Sequence, residues 1–208
     1  MTETEGRRTR SRGAETRAEA QRVALRLFTE QGYEATSLRQ IADELGINKA
    51  SLYYYFDGKE AIVQSLLEQR GDEAEALLAW VREQPRSPAL LDEAVSRWVG
   101  SFTEEKLNGI RFLAANPLLL AGVTQGGEPR VAAGLTQLAD ELAELLPERT
   151  PEAVVMLRMA LLSINAAVQA GASAGVADAA IIAAARQAAH VLCQALTSGS
   201  GSGSAQPG

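Results

Sequence analysis

The sequence predicts an all-α protein: an N-terminal three-helix domain built on a helix-turn-helix, followed by a larger helical domain. Three observations lead to this. Apolar residues recur at the i, i+3, i+4, i+7 spacing of helices lying on a core. Cap residues with proline or glycine punctuate those stretches, as at Ser87-Pro88, Thr150-Pro151 and Gly46. No stretch alternates apolar and polar residues as a half-buried strand would, and no internal repeat is present.

Residues 1–14 read as a flexible basic arm. From Arg7 to Arg26 the arginines at 7, 8, 10, 12, 17, 22 and 26 stand against Glu15 and Glu19, a bias that supplies phosphate contacts and salt-dependent affinity for nucleic acid. A first helix follows over about residues 15–31, with Ala20, Val23, Ala24, Leu27 and Phe28 on one face and Gly32 at its end.

The stretch from Thr36 to Lys59, TSLRQIADELGINKASLYYYFDGK, reads as two short helices joined by a glycine turn. The first buries Leu38, Ile41, Ala42 and Leu45 and opens on a capping box, Ser37 with Gln40. Gly46 takes the left-handed conformation that reverses the chain within a few residues, and Asn48 caps the second helix. That second helix buries Leu52 and Phe56, which leaves Lys49, Ala50, Ser51, Tyr53, Tyr54 and Tyr55 at its start or on its free face. Three consecutive tyrosines cannot all be buried on so short a helix, and aromatic faces and hydroxyls suit phosphate oxygens, base edges and thymine methyls. Asp57 and Glu60 form another capping box, with Lys59 in the first turn of the next helix, where free N–H groups and the dipole favour a phosphate.

Leu27-Phe28, Gly32-Tyr33, Thr36, Ile41-Ala42, Gly46-Ile47, Leu52-Tyr53, Phe56 and Lys59 together resemble the DNA-binding domain of TetR-type (tetracycline-repressor-like) transcriptional regulators, over roughly residues 16–67. Asn48 departs from the serine more usual there, and Tyr55 from the histidine; asparagine caps equally well and a tyrosine hydroxyl still donates to phosphate. The resemblance implies base-edge roles for Arg39, Lys49, Ala50 and Tyr53, and phosphate roles for Ser37, Ser51, Tyr54, Tyr55 and Lys59. Arg39 can grip a guanine with two hydrogen bonds, Ala50 offers only a methyl, and Lys49 could serve a base or a phosphate.

Beyond the reader, a long helix is expected from Lys59 to about residue 83, then helices over about residues 88–105 and 151–174 with two or three between, broken at Asn116-Pro117 and at residues 124–129, and a last helix from Asp178 to about residue 196. Domain boundaries follow: the reader over 15–62, a helical effector-binding and dimerisation domain over 63–197, and a flexible Gly/Ser tail over 198–208. Residues 159–177 lack charge but are alanine- and glycine-rich with Ser163, Asn165, Gln169 and Ser173, which argues against a membrane span. The resembled family pairs its last two long helices into a four-helix dimer interface, and the small residues here fit: Gly171 and Gly175 in a G-x-x-x-G pair, then Ala184, Ala188 and, beside them, His190.

Charge and chemistry narrow the function. Residues 1–60 hold 10 basic and 10 acidic side chains, so the whole chain's −6 falls on the remainder. Cys193 is the single cysteine, which excludes an intrachain disulfide; with no N-terminal apolar run to suggest a signal peptide, a cytoplasmic protein is expected. His190 and Cys193, three apart, could give a metal two ligands, but the chain has no other histidine or cysteine, so no metal and no cofactor are expected. Glu104-Glu105 and Glu141/Glu144 read as solvated faces, Gly126-Gly127 fits no phosphate loop, and no catalytic constellation or G-x-S-x-G element accompanies His190, so an enzyme is not expected.

The resemblance also implies an effector pocket in the larger domain, for which the sequence offers Trp98, Phe102, Phe112, Asn116, Met156, Met159, Asn165 and Gln169. Asn165 and Gln169 stand out as amides four apart on an apolar helix, where burial would demand partners. The expectation is a homodimeric repressor that binds a palindromic double-stranded operator and is released by a small, largely apolar effector. A transcriptional activator and a helical dimeric interaction module remain as alternatives.

Overall fold

The computed structural model describes the backbone of residues 3–125, 127–172 and 174–198, and side chains within those ranges from residue 13 onward. Among the described residues there are eleven helices and no strand. The described residues form two compact units, the first holding those up to residue 68 and those from 111 to 127, the second the rest.

The first unit holds α1 (Glu3–Gln31), α2 (Leu38–Glu44), α3 (Lys49–Tyr55), the start of α4 (Lys59–Glu83), the end of α6 (Glu104–Ala115) and α7 (Pro117–Val123). Its core takes Ala20, Val23, Ala24, Leu27 and Phe28 from α1, the face that the helical period selects. Ile41 and Ala42 come from α2, Leu52 from α3, and Ile62 and Val63 from α4. Leu38 and Leu45 are partly buried and pack against this core from its edge. Phe112, from the far end of α6, stacks on Phe28 at 5.5 Å between ring centres, and Tyr33 meets Phe28 edge-on at 4.9 Å.

One expectation about this unit changes. α1 starts at Glu3 rather than near residue 15, so the predicted arm is helical from there. Acidic residues in a first turn complement the helix dipole, and the sequence places Glu3 four residues before Arg7, a favourable pairing interval. The side chains of Arg7, Arg8, Arg10 and Arg12 lie outside the described residues, as does the Gly/Ser tail beyond Ser198, where the last helix ends.

The second unit holds the rest of α4, α5 (Pro88–Gly100), the start of α6, α8 (Arg130–Ala143), α9 (Pro151–Leu161), α10 (Ser163–Ala172) and α11 (Asp178–Ser198). α11 packs against α5, α9 and α10, and its buried residues Ile181, Ala185, Ala189, Cys193 and Leu196 form one stripe. At 21 residues α11 has the length and composition of a span, yet that stripe is the packing of a helix on a protein core.

The helix expected over 88–105 stops at Gly100, with Ser101 as its cap, and α6 begins at Glu104. The helix expected over 151–174 is two helices bent by 60° at Leu162. A side chain causes the break. The Trp98 indole N–H donates to the Leu161 carbonyl at 3.1 Å, and the Asn165 amide, which would take that carbonyl in a continuous helix, donates to Leu162 instead at 3.0 Å. The bend also rules out a straight span through 159–177.

The two glycines of the G-x-x-x-G pair have reasons within the chain. A Cβ on Gly171 would come within 2.7 Å of Ile181 Cδ1, so its absence lets α10 approach α11, and Gly175 turns the chain between them at φ +59°. Close approach recurs between α4 and α8, where a Cβ on Gly71 would lie 2.9 Å from the Cβ of Arg130. Arg130 Cβ moves only with its backbone. Gly71→Val is therefore expected to cost about 1–3 kcal/mol of stability by overpacking, read as a lower midpoint in urea unfolding; an unchanged midpoint would mean that α8 stands further from α4.

Candidate nucleic-acid interface

The helix pair α2–α3 is held by its caps. The Gln40 amide donates to Ser37 Oγ at 3.2 Å while the Ser37 amide donates to Gln40 Oε1 at 2.8 Å, completing the capping box. Gly46 sits at φ +67°, and the Asn48 carbonyl oxygen of the side chain accepts the Ser51 amide at 2.7 Å and its hydroxyl at 2.9 Å. Ahead of α2, buried Thr36 donates its hydroxyl to the Gly32 carbonyl at 2.8 Å and sets how the chain enters. Sequence reasoning had Thr36 only as part of a resemblance; a threonine four residues after a helix-ending glycine is the local signal for this bond.

Leu52 and Phe56 anchor α3 in the core at 0% and 3% exposure, and the opposite side is open. Tyr54 is 84% exposed and Tyr53 44%, with the Lys49 ammonium 5.3 Å from the Tyr53 ring centre. Ala50 is exposed and Ser51 half-buried. On α2, which packs against α3, Ser37 and Arg39 are exposed, and the Arg39 guanidinium makes a loose contact with Asp43 at 3.7 Å. An exposed pair of that kind holds its members by at most about 1 kcal/mol, so Arg39 can exchange Asp43 for another acceptor.

Two predicted contacts are placed differently. Tyr55 is half-buried, packed on the core with its ring edge-on to Tyr54 at 5.1 Å, so the free face presents two tyrosines rather than three. Lys59 already has partners: its ammonium donates to the Tyr33 carbonyl at 2.6 Å and lies 4.4 Å from the Tyr33 ring centre. Burial, with the carboxylates of Glu60 and Glu34 adding to it, raises the Tyr33 phenol above its usual range and keeps it neutral. Among the basic residues of α1, Arg22 pairs with Glu19, Arg26 with Glu30 and Glu44, and Arg17 lies over the Phe56 ring at 5.3 Å.

The effector candidates do not come together. Trp98 and Phe102 meet edge-on at 5.6 Å in the second unit's core. Phe112 belongs to the first unit's core, where it stacks on Phe28, and Asn116 turns its side-chain amide back to the Phe112 carbonyl at 2.8 Å. Met156 is partly buried against the second core, and Met159 is 54% exposed. Asn165 and Gln169 are exposed, not buried amides, because the bend at Leu162 turns Ser163, Ile164 and Val168 inward and leaves these two on the outer face of α10.

On α11, Ala184, Ala188 and His190 are exposed, and Nδ1 of His190 stands 3.2 Å from Asp92. Cys193 is fully buried, and burial, with Asp92 adding to it, pushes its thiol up to about 12. His190 and Cys193 thus lie one on the surface and one in the core, and no group of three or more potential ligands for a metal occurs among the described residues.

Residues 22–66 match the family described as bacterial regulatory proteins, tetR family. Over this segment the chain is similar to the TetR family. It is similar to the HTH-type transcriptional repressor KstR2 of Rhodococcus jostii, 47% identical over 51 residues, or 24% of this chain and 25% of that one. It is similar also to the negative transcriptional regulator IcaR of Staphylococcus aureus, 51% identical over 41 residues, or 20% and 22% of the two chains. The match thus spans about a quarter of the length of these relatives. The fold as a whole is like that of Mycobacterium smegmatis AmtR, with a TM-score of 0.63 over 86% of this chain and 92% of that one at 23% identity. The TetR family is one of transcriptional regulators, not of enzymes.

Because Lys59 bonds to the backbone of its own unit, its loss is expected to reach the fold. Lys59→Ala should lower stability by about 1–3 kcal/mol, the range for a charge-assisted hydrogen bond to a partly buried acceptor. Thermal unfolding with far-UV circular dichroism reads this; wild-type stability in the variant would free Lys59 for a purely external role.

Proposed function

We propose that the chain is a homodimeric transcriptional repressor whose α2–α3 pair reads double-stranded DNA and whose second unit takes a small effector that releases it. The carrying observation is the open face of α3: Lys49, Ala50, Tyr53 and Tyr54 exposed on a helix whose other side is fixed by Leu52 and Phe56. A seven-residue helix with one anchored side and one open side, entered through a capped glycine turn, has the form of a recognition helix set to enter a major groove. Arg39, Lys49, Ala50 and Tyr53 are the base-edge candidates. Ser37, Ser51 and Tyr54 are the phosphate candidates, Tyr55 only through its outer edge, and Lys59 only if it exchanges a carbonyl for a phosphate.

The repressor sense is supported by the relatives, whose names describe a repressor and a negative regulator. A dimer face is supported by apolar side chains left open on α9 and α11, which pack together: Val155, Met159 and Val191 are about half exposed, next to the small Ala184 and Ala188. Two such chains would present their α3 helices to successive major grooves about 34–36 Å apart and so prefer a palindrome. The effector role falls to the second unit, around Trp98 and Phe102, and not to Phe112.

Selection of duplexes from a randomised pool, followed by titration at several salt concentrations, tests this. Wild type should enrich a palindrome bound by two chains. Arg39→Ala should lose about 1–3 kcal/mol on that duplex, relax preference at one symmetric base-pair position, and leave scrambled DNA unaffected. Failure of the wild-type chain to enrich any sequence would overturn the reading in favour of an interaction module.

A further inference from the structure

Arg70, on the part of α4 that belongs to the second unit, has only 17% of its side chain exposed. Its guanidinium lies 4.4 Å from the Trp98 ring centre and 4.2 Å from that of Phe102. Nη1 pairs with Glu73, but Nη2 is buried and has no hydrogen-bond partner. Glu73 cannot answer for it alone, because its Oε2 also receives the Lys106 ammonium at 2.9 Å. Among these three groups one carboxylate serves two cations, while the neighbouring Asp72 and Glu75 are held by Arg130. An arginine does not shed its proton in response to burial, so two N–H bonds of a charged group stay unanswered in a largely apolar setting, a costly arrangement unless something supplies an acceptor. Desolvation accordingly lowers the Arg70 pKa, with Glu73 opposing it.

We propose that Arg70 is the anion-recognising end of the effector site, receiving on Nη2 the carboxylate of a small organic monoanion whose apolar body lies against Trp98 and Phe102. This rests on the effector reading given above. A single charge fits the one excess cation among Arg70, Glu73 and Lys106, since Asp72 and Glu75 are taken up by Arg130, and inorganic phosphate has no apolar body to set against the rings. The rings supply the apolar wall, at 3% and 6% exposure. Nη2 is closed over in the free chain, so entry requires the flexible Arg70 side chain to swing, a rotamer change within the fold. Trp98 also gives the site a reach. Its indole N–H holds the Leu161 carbonyl at the α9–α10 break, so a ligand seated on this ring bears on the support of that bend.

The test uses the full chain with Trp80→Phe as background, so that Trp98 alone reports. Thermal unfolding and tryptophan emission are followed with benzoate, cyclohexanecarboxylate and decanoate, against the matching alcohols and inorganic phosphate at constant ionic strength. At least one carboxylate should raise the melting temperature by about 3 °C or more near saturation and change Trp98 emission, with the alcohols and phosphate inert. Arg70→Met should weaken that carboxylate at least tenfold, and Arg70→Lys should retain part of the response, which separates loss of the charge from loss of the fold. Equal responses to acid and alcohol, an unchanged response in Arg70→Met, or no response of the wild-type chain to any carboxylate would overturn the proposal and leave Arg70 a stacking residue of the core. Selective DNA binding without probe, measured in parallel, keeps that failure distinct from failure of the regulator reading.

Discussion

Seven residues of helix cannot hold themselves in place in water, since nucleation costs more than two turns of hydrogen bonds return. Both α2 and α3 are of that length, so the reading surface exists only because its inner side is fixed by something else. That constraint organises the first unit. Ile41, Ala42, Leu52 and Phe56 seat the two helices on Val23, Ala24, Leu27 and Phe28 of α1, while Ser37 with Gln40 and Asn48 with Ser51 supply bonds that the short helices cannot make internally. Each cap is worth about 1 kcal/mol, a large share for an element so small. Tyr33 joins the same scheme: its ring packs on Phe28, and its carbonyl holds Lys59, so the start of α4 is tied to the loop that leads into α2.

Electrostatics explain how a chain of net charge −6 can offer a DNA-facing surface. The first sixty residues are balanced, and the structure uses part of the positive charge internally: Arg22 and Arg26 pair with glutamates, Arg17 lies on Phe56, and Lys59 on Tyr33. What the open face presents is Arg39 and Lys49 beside the tyrosines. In the proposed DNA-reading role, aromatic and hydroxyl contacts from this face would act beside the cationic ones.

Local features were legible in the sequence, and distant ones were not. Ser37/Gln40, Gly46 and Asn48 act within three or four residues, so their identity and spacing told where α2 and α3 begin and turn. The break between α9 and α10 depends on Trp98, more than sixty residues away, and no pattern within 151–174 records that an indole will take the Leu161 carbonyl. Phe112 looked like a pocket aromatic because it falls within the expected larger domain, 63–197; only its stacking on Phe28 reveals a core side chain of the first unit. Lys59 illustrates the ambiguity of a charged residue at a helix start, whose dipole favours an anion while a nearby carbonyl claims the ammonium first. Arg70 gave no signal at all, because an arginine in a charged stretch of α4 is unremarkable until its burial between two rings is seen.

The central claim is that the open face of α3 is where DNA is held. Amide hydrogen exchange of the wild-type chain with and without its selected duplex measures this without altering a residue. Slowed exchange over residues 36–59, strongest from Asn48 to Tyr55, is the result expected. Binding of the duplex with no change there, or with protection confined to α9–α11, would contradict it.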